Sequence, residues 1–188
     1  MNKAPDLEMA NAEQSSLPTY FHTTARIGFR HWTKDDGDLA SALWGNAKVT
    51  QFIDARGILT EADIQAKLNI EIQSQTDFGI QYWPMFLKEN EQHIGCCGVR
   101  PKDPDNGILE FGIHLRPDYW GRGLAVEAGS AVIRHVFGQK LATELFAGHN
   151  PRNEASRHLL RRLGFTYVGD EFYPPTGLQH PSYRLKAE

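Results

Sequence analysis

Residues 108–137 constrain the fold more than any other stretch, because the period of their apolar residues changes partway along. Leu109, Phe111, Ile113 and Leu115 fall on one face of an extended segment, and Glu110, Gly112, His114 and Arg116 fall on the other. Pro117-Asp118-Tyr119-Trp120 and Gly121-Arg122-Gly123 follow, and a helical pattern then runs over residues 124–137. Leu124, Ala128, Ala131, Val132, His135 and Val136 form one apolar stripe of that helix, while Val126, Ile133 and Phe137 form a second. A helix apolar on two sides has to be buried, so this strand and helix must share a core with other elements.

The flanking segments supply those elements. Residues 80–88 and 93–100 are strand-like and separated by turn residues, which predicts an antiparallel meander with residues 108–116. Upstream, residues 20–32 predict a strand, and Lys34-Asp35-Asp36-Gly37 opens a short helix carrying Leu39, Ala42, Leu43 and Trp44. Thr60-Glu61-Ala62-Asp63 has the form of a helix start, and Gly79 closes that helix. Downstream, residues 143–148 predict a strand and residues 150–163 a helix ended by Gly164, with closing strands at 165–172 and 181–185. The order predicts an α/β (α+β) fold over residues 19–188, a single domain with a mixed, mostly antiparallel twisted sheet flanked by helices. Residues 1–18 lack periodicity and are expected to form a flexible tail.

With a formal charge of −3, no global basic field draws the chain to nucleic acid or to an anionic membrane, and no apolar run is long enough for a membrane span. The expected partners are therefore local ligands, for a monomer or a homodimer. Cys96 and Cys97 are adjacent in a strand, point to opposite faces and are expected to stay unpaired, which suits the cytoplasm. The eight histidines are scattered without ligand spacing, so no metal is expected.

Gly121-Arg122-Gly123 lies where a strand hands over to a buried helix, so free backbone N–H groups and the positive helix end converge there. Such a turn suits a diphosphate, and Arg122 would add a charge-assisted contact. Taken alone, a Gly-x-Gly turn is often only a tight connection. The P-loop pattern is absent, and Gly-x-Gly-x-x-Gly fails at Val126, so neither common nucleotide motif applies.

A second helix start, Asn150-Pro151-Arg152-Asn153-Glu154-Ala155-Ser156, follows and its helix closes on Leu163-Gly164-Phe165. Together, the segment from Pro117 through Gly121-Arg122-Gly123-Leu124-Ala125 to Ala128, Asn153-x-x-Ser156 and Leu163-Gly164-Phe165 closely resemble the GNAT superfamily of N-acetyltransferases. They are most similar to the branch of the ribosomal-protein N-terminal acetyltransferases. The resemblance spans residues 21–185, and departs from the family where Trp120 begins the glycine turn. It implies an acetyl-coenzyme A dependent enzyme that acetylates a primary amine, on a peptide N-terminus or a small molecule, by direct attack in a ternary complex. A non-catalytic coenzyme A sensor and an antibiotic or polyamine acetyltransferase are the rival readings.

On this resemblance Gly121, Arg122, Gly123, Leu124 and Ala125 hold the pyrophosphate, and Asn153 and Ser156 bind the pantetheine or thiol end. A family bulge, expected near Ile113 to Leu115 and suited by Gly112 at the centre of the strand, would turn backbone N–H groups there toward the thioester oxygen. Glu110 and His114 share the polar face of that strand and are the candidate bases, Glu110 first. Many members carry a tyrosine acid near the position of Leu160, so the proton for sulfur is expected from Ser156, or from Tyr167, Tyr173 or Tyr183. His135 is expected in the core. Phe52, Tyr82, Trp83 and Phe86 are candidates for an acceptor pocket, and Arg152, Arg157, Arg161 and Arg162 form a basic helix face.

Overall fold

The structure is a computed structural model that describes residues 19–187, so the expected tail at 1–18 lies outside the described residues. The first segment is a hairpin, where the sequence pattern suggested one strand. Strands β1 (His22–Thr23) and β2 (Ile27–Phe29) pair antiparallel, because Thr24 turns the chain and accepts from the Ile27 N–H. Helices α1 (Gly37–Trp44), the short unanticipated α2 (Ala47–Thr50) and α3 (Glu61–Phe78) follow. The expected capping box forms at α3. The Thr60 hydroxyl accepts from the Asp63 N–H at 3.2 Å, and Asp63 accepts from the Thr60 N–H at 2.9 Å.

The meander is present as β3 (Tyr82–Leu87), β4 (His93–Asp103) and β5 (Ile108–Leu115), each pair antiparallel. Helix α4 (Leu124–Gly138), β6 (Glu144–Gly148), α5 (Glu154–Arg162), β7 (Thr166–Tyr173) and β8 (Leu178–Lys186) complete the chain. One eight-stranded sheet runs β1-β2-β3-β4-β5-β6-β8-β7, and β5–β6 is its parallel pair.

The sheet separates two cores. On one face Leu109, Phe111 and Cys97 pack with Leu124, Ala128, Val132 and Leu160, which places α4 and α5 together. On the other, Tyr82 and Cys96 pack with Trp44, Ile64 and Leu68 of α1 and α3. The two cysteines thus face opposite cores, as the alternation of a strand requires, and both are free. Glu110 and His114 occupy the α3 face of a central strand, so they are not on an exposed edge. Among the described residues no helix is long and apolar enough to cross a membrane.

Candidate active site

The chemistry is positioned by a parting of strands. β5 and β6 pair over Ile108–Glu144, Leu109–Leu145 and Glu110–Phe146, and no further. Beyond Glu110 a gap opens, and a cavity of about 710 Å³ runs through it. Glu110, Ile113, His114, Leu115, Gly121, Gly123, Leu124, Ala125, Asn153 and Ser156 all line this cavity. They come from three separate segments of the chain, 110–115, 121–125 and 153–156.

The expected bulge at Gly112 is absent. Register with β4 is continuous from Gly95–Leu115 through Gly98–Gly112 to Arg100–Glu110, and the irregularity lies at Pro101–Asp103 instead. Gly112 is needed for another reason: a Cβ there would collide with the Tyr82 ring. Donors still reach the gap. Arg116 N–H donates to Ile94 O on the β4 side, whereas Gly107 O accepts from Thr143 N–H on the β6 side. By strand alternation, the N–H groups of Ile113 and Leu115 point toward β6, where the ladder has ended. The splay, rather than a bulge, leaves these N–H groups without a partner strand.

At the turn, Gly121 (φ 71°) and Gly123 (φ 74°) adopt the left-handed conformation that side chains resist. Gly123 is the N-cap of α4 and no side chain caps it, so the first N–H groups of the helix are open toward the cavity. Trp120, the departure from the family pattern, donates its indole N–H to Leu115 O at 2.9 Å and so braces the turn against β5. The Arg122 side chain is the exception among the predicted residues. Its guanidinium lies 5.6 Å from the Tyr119 ring centroid, and the exposed residue is outside the cavity lining. Arg26 donates to Arg122 O at 3.1 Å and pairs with Glu127 at 2.6 Å. Glu127 also accepts from Thr24 and from Arg26 N–H, fastening the β1–β2 hairpin to the first turn of α4. Sequence reasoning missed this clamp; the signal was an acid in the first helical turn, where the dipole favours one.

Asn153 caps α5 by accepting from Ser156 N–H at 3.1 Å, which leaves its amide NH₂ for a ligand, and Ser156 stands in the first turn at the cavity wall. Leu160 is buried in the core, so the family's tyrosine position is used for packing. Of the substitute tyrosines, Tyr173 lines the cavity, Tyr167 is exposed and donates to Asp170, and Tyr183 is buried against His149. Phe52 and Tyr82 line the cavity, but Trp83 and Phe86 do not. The arginines of α5 sit outside it, with Arg157 paired to Glu154. His135 is half-buried among Phe21, His22 and Trp83 at the edge of the core.

The two base candidates are not equivalent. Burial raises the Glu110 carboxyl above the usual carboxylate range, with Arg100 and Lys102 pulling it down and Glu171 adding to the rise. Burial, then Lys67 and Arg100, push His114 well below the usual imidazole range. Its Nδ1 accepts from the Trp44 indole N–H at 3.1 Å, so the neutral ring carries its proton on Nε2. Around them stands a polar group the sequence reading did not anticipate. Arg100 pairs with the fully buried Glu71, which also accepts from Tyr82 N–H at 2.8 Å, and Lys102 pairs with Glu171 at 3.4 Å. Among the described residues there is no group of His, Cys, Asp or Glu suited to a metal ion.

The model of the acetyltransferase (GNAT) domain matches residues 26–166. An uncharacterized N-acetyltransferase, p20, of Bacillus licheniformis is 28% identical over 150 residues, covering 78% of this chain and 82% of that protein. Among solved structures, the acetyltransferase from Salmonella typhimurium that modifies the N-terminal serine of ribosomal protein L7/L12 superposes with a TM-score of 0.76 at 16% identity, over 88% of this chain and 97% of that one. The microcin C7 self-immunity acetyltransferase MccE, solved with acetyl-CoA and AMP, superposes with a TM-score of 0.74 at 14% identity, over 87% and 93%. With three quarters of its length matched and its fold shared, the chain belongs to the GNAT acetyltransferase domain family and is an acetyl-CoA-dependent acetyltransferase.

Proposed function

We propose that the protein transfers the acetyl group of acetyl-CoA to a primary amine, on a small molecule or a peptide N-terminus, by direct attack in a ternary complex. The observation that carries this reading is the convergence, on one cavity, of the Gly121–Gly123 turn, the β5 N–H groups at the strand splay, and Glu110.

The residues fit that chemistry step by step. The open N–H groups of residues 123–125 and the helix dipole suit a pyrophosphate, and the Asn153 amide suits the pantetheine arm. Glu110, made more basic by burial, takes a proton from the acceptor ammonium and passes it to solvent. The freed amine nitrogen attacks the thioester carbon. The new C–N bond pushes the carbonyl electrons onto oxygen, where the N–H groups of Ile113 and Leu115 receive the charge. Collapse breaks the C–S bond, the nitrogen loses its second proton to solvent by way of Glu110, and Ser156 relays a solvent proton to the thiolate, taking up one as it gives one.

Direct attack is supported by the cysteines. Cys96 and Cys97 are the chain's two thiols, both fully buried and both pushed up by burial, so neither offers a thiolate for an acetyl-enzyme intermediate. Free buried thiols also support work in a reducing cytoplasm. Calorimetric titration with acetyl-CoA, combined with thiol release across an amine panel, tests the reading. Saturable binding with amine-dependent release is expected; tight binding with no release for any amine would overturn it.

A further inference from the structure

We propose that the acceptor is a small amine carrying an anionic group, a carboxylate or a phosphate, which Lys67 receives on the α3 side of the cavity. This rests on the acetyl-transfer reading and adds the substrate class.

The argument starts from a lysine in an unusual place. Lys67 belongs to the stripe of α3 that faces the sheet, between the buried Ile64 and the buried Glu71, where a charged side chain is costly without a partner. It is half-buried and lines the cavity, with its ammonium 5.8 Å from the Trp44 ring centroid, and it forms no ion pair among the described residues. Burial, then the charge of Arg100, lowers its affinity for the proton, which is the mark of a cation lacking sufficient counter-charge.

The nearby charges do not satisfy it. Of the carboxylates that act on it, Glu71 is engaged by Arg100 and by Tyr82 N–H, and Asp54 is engaged by Arg56 at 2.9 Å. The cofactor phosphates do not account for it either. The glycine turn caps α4 on the opposite face of the sheet, whereas Lys67 stands on the α3 face with Glu110 and His114. Exposed Lys48 at the cavity wall adds a further positive charge. A ligand that places its amine at Glu110 and an anion at Lys67 completes both sites, and a polycation meets repulsion there.

Matched acceptors test this. Thiol release is measured with O-phosphoethanolamine, an α-amino acid, its uncharged amide, and spermidine, for the natural protein and for Lys67→Ala, Lys67→Arg and Lys67→Glu. Binding of O-phosphoethanolamine and of the amino acid is followed separately by calorimetry. Anionic acceptors are expected to exceed the amide and spermidine by about tenfold or more in kcat/KM, the scale of one charge-assisted hydrogen bond. Lys67→Ala should remove that preference mainly through KM, Lys67→Arg should restore it, and Lys67→Glu should reverse it. Preferred turnover of spermidine, or equal losses for charged and uncharged acceptors in Lys67→Ala, would overturn the proposal. Lys67-dependent binding of the anionic amines without any thiol release would instead sink the transfer reading and leave the anion site standing. The phosphate and carboxylate arms decide which anion is the better fit.

Discussion

The Trp44 indole N–H donates to Nδ1 of His114 at 3.1 Å, and this one bond separates the two groups that the β5 sequence presents as equivalent bases. With Nδ1 occupied and its proton affinity lowered by burial, Lys67 and Arg100, His114 is held as a neutral ring with a proton on Nε2. Glu110, four residues away on the same face, is shifted the opposite way, which is why the proposed reaction gives it the amine proton.

Glu110→Gln is accordingly expected to lower kcat by roughly a hundredfold to ten-thousandfold, and His114→Gln by much less. A base acts when deprotonated, so kcat should rise with pH through an acidic limb whose midpoint lies above the ordinary carboxylate range. Glu110→Gln should erase that limb while acetyl-CoA affinity holds. A limb that survives the substitution would return the role to another group.

Gly123→Ala tests the pyrophosphate turn. No atom lies closer than 3.8 Å to a Cβ at Gly123, so the cost arises from the left-handed φ of 74° and from the turn that must relax. A cost of about 1–2 kcal/mol corresponds to roughly tenfold weaker acetyl-CoA binding, read by calorimetry. Gly121→Ala, at φ 71° in open space, should behave alike.

The Glu71–Arg100 pair is a stability determinant under the acceptor side. Glu71 is fully buried, so Glu71→Ala leaves Arg100 without its counter-charge and Tyr82 N–H without an acceptor. A loss of about 3–5 kcal/mol in denaturant unfolding is expected. Adding Arg100→Met should recover a large part of it; an additive pair of effects would show that the two residues are not coupled.

Acidification should weaken the fold through His93. Buried between Trp32 and Phe86, it is lowered to about 4 from the usual 6.5 by burial first and then by Arg116. Between those values the unfolded chain binds the proton and the folded chain does not, so stability falls as pH drops. The loss amounts to about 3 kcal/mol by pH 4, with His22, His31, His114, His135 and His180 acting in the same sense. His93→Gln should flatten the dependence between pH 7 and pH 5; an unchanged slope would assign it to the other histidines.

Much of this site was legible before folding was considered. Gly121, Gly123, Asn153 and Ser156 stand where the chain begins helices, and helix starts are local events with local signatures. Glu110, Ile113, His114 and Leu115 follow from alternation within one strand. The bulge at Gly112 failed because a glycine is required for more than one reason: here the reason is the Tyr82 ring, contributed by β3 and visible only after β3, β4 and β5 align. The β1–β2 hairpin was missed because its strands are too short for a period to show.

By itself, then, the sequence determined the order of elements from α3 onward, the two helix starts and the two faces of β5, since each depends on residues within a turn or two of one another. The tertiary structure decided what those faces meet. It parted β5 from β6 beyond Glu110, fastened Arg26 to Glu127 behind the glycine turn, and set Trp44 against His114. It also brought Lys67, Arg100 and Glu110 from α3, β4 and β5 to one cavity. Charges and hydrogen bonds act over a few ångströms in space, and residues 33 positions apart, such as Lys67 and Arg100, come within that range only once the sheet has closed beneath α3.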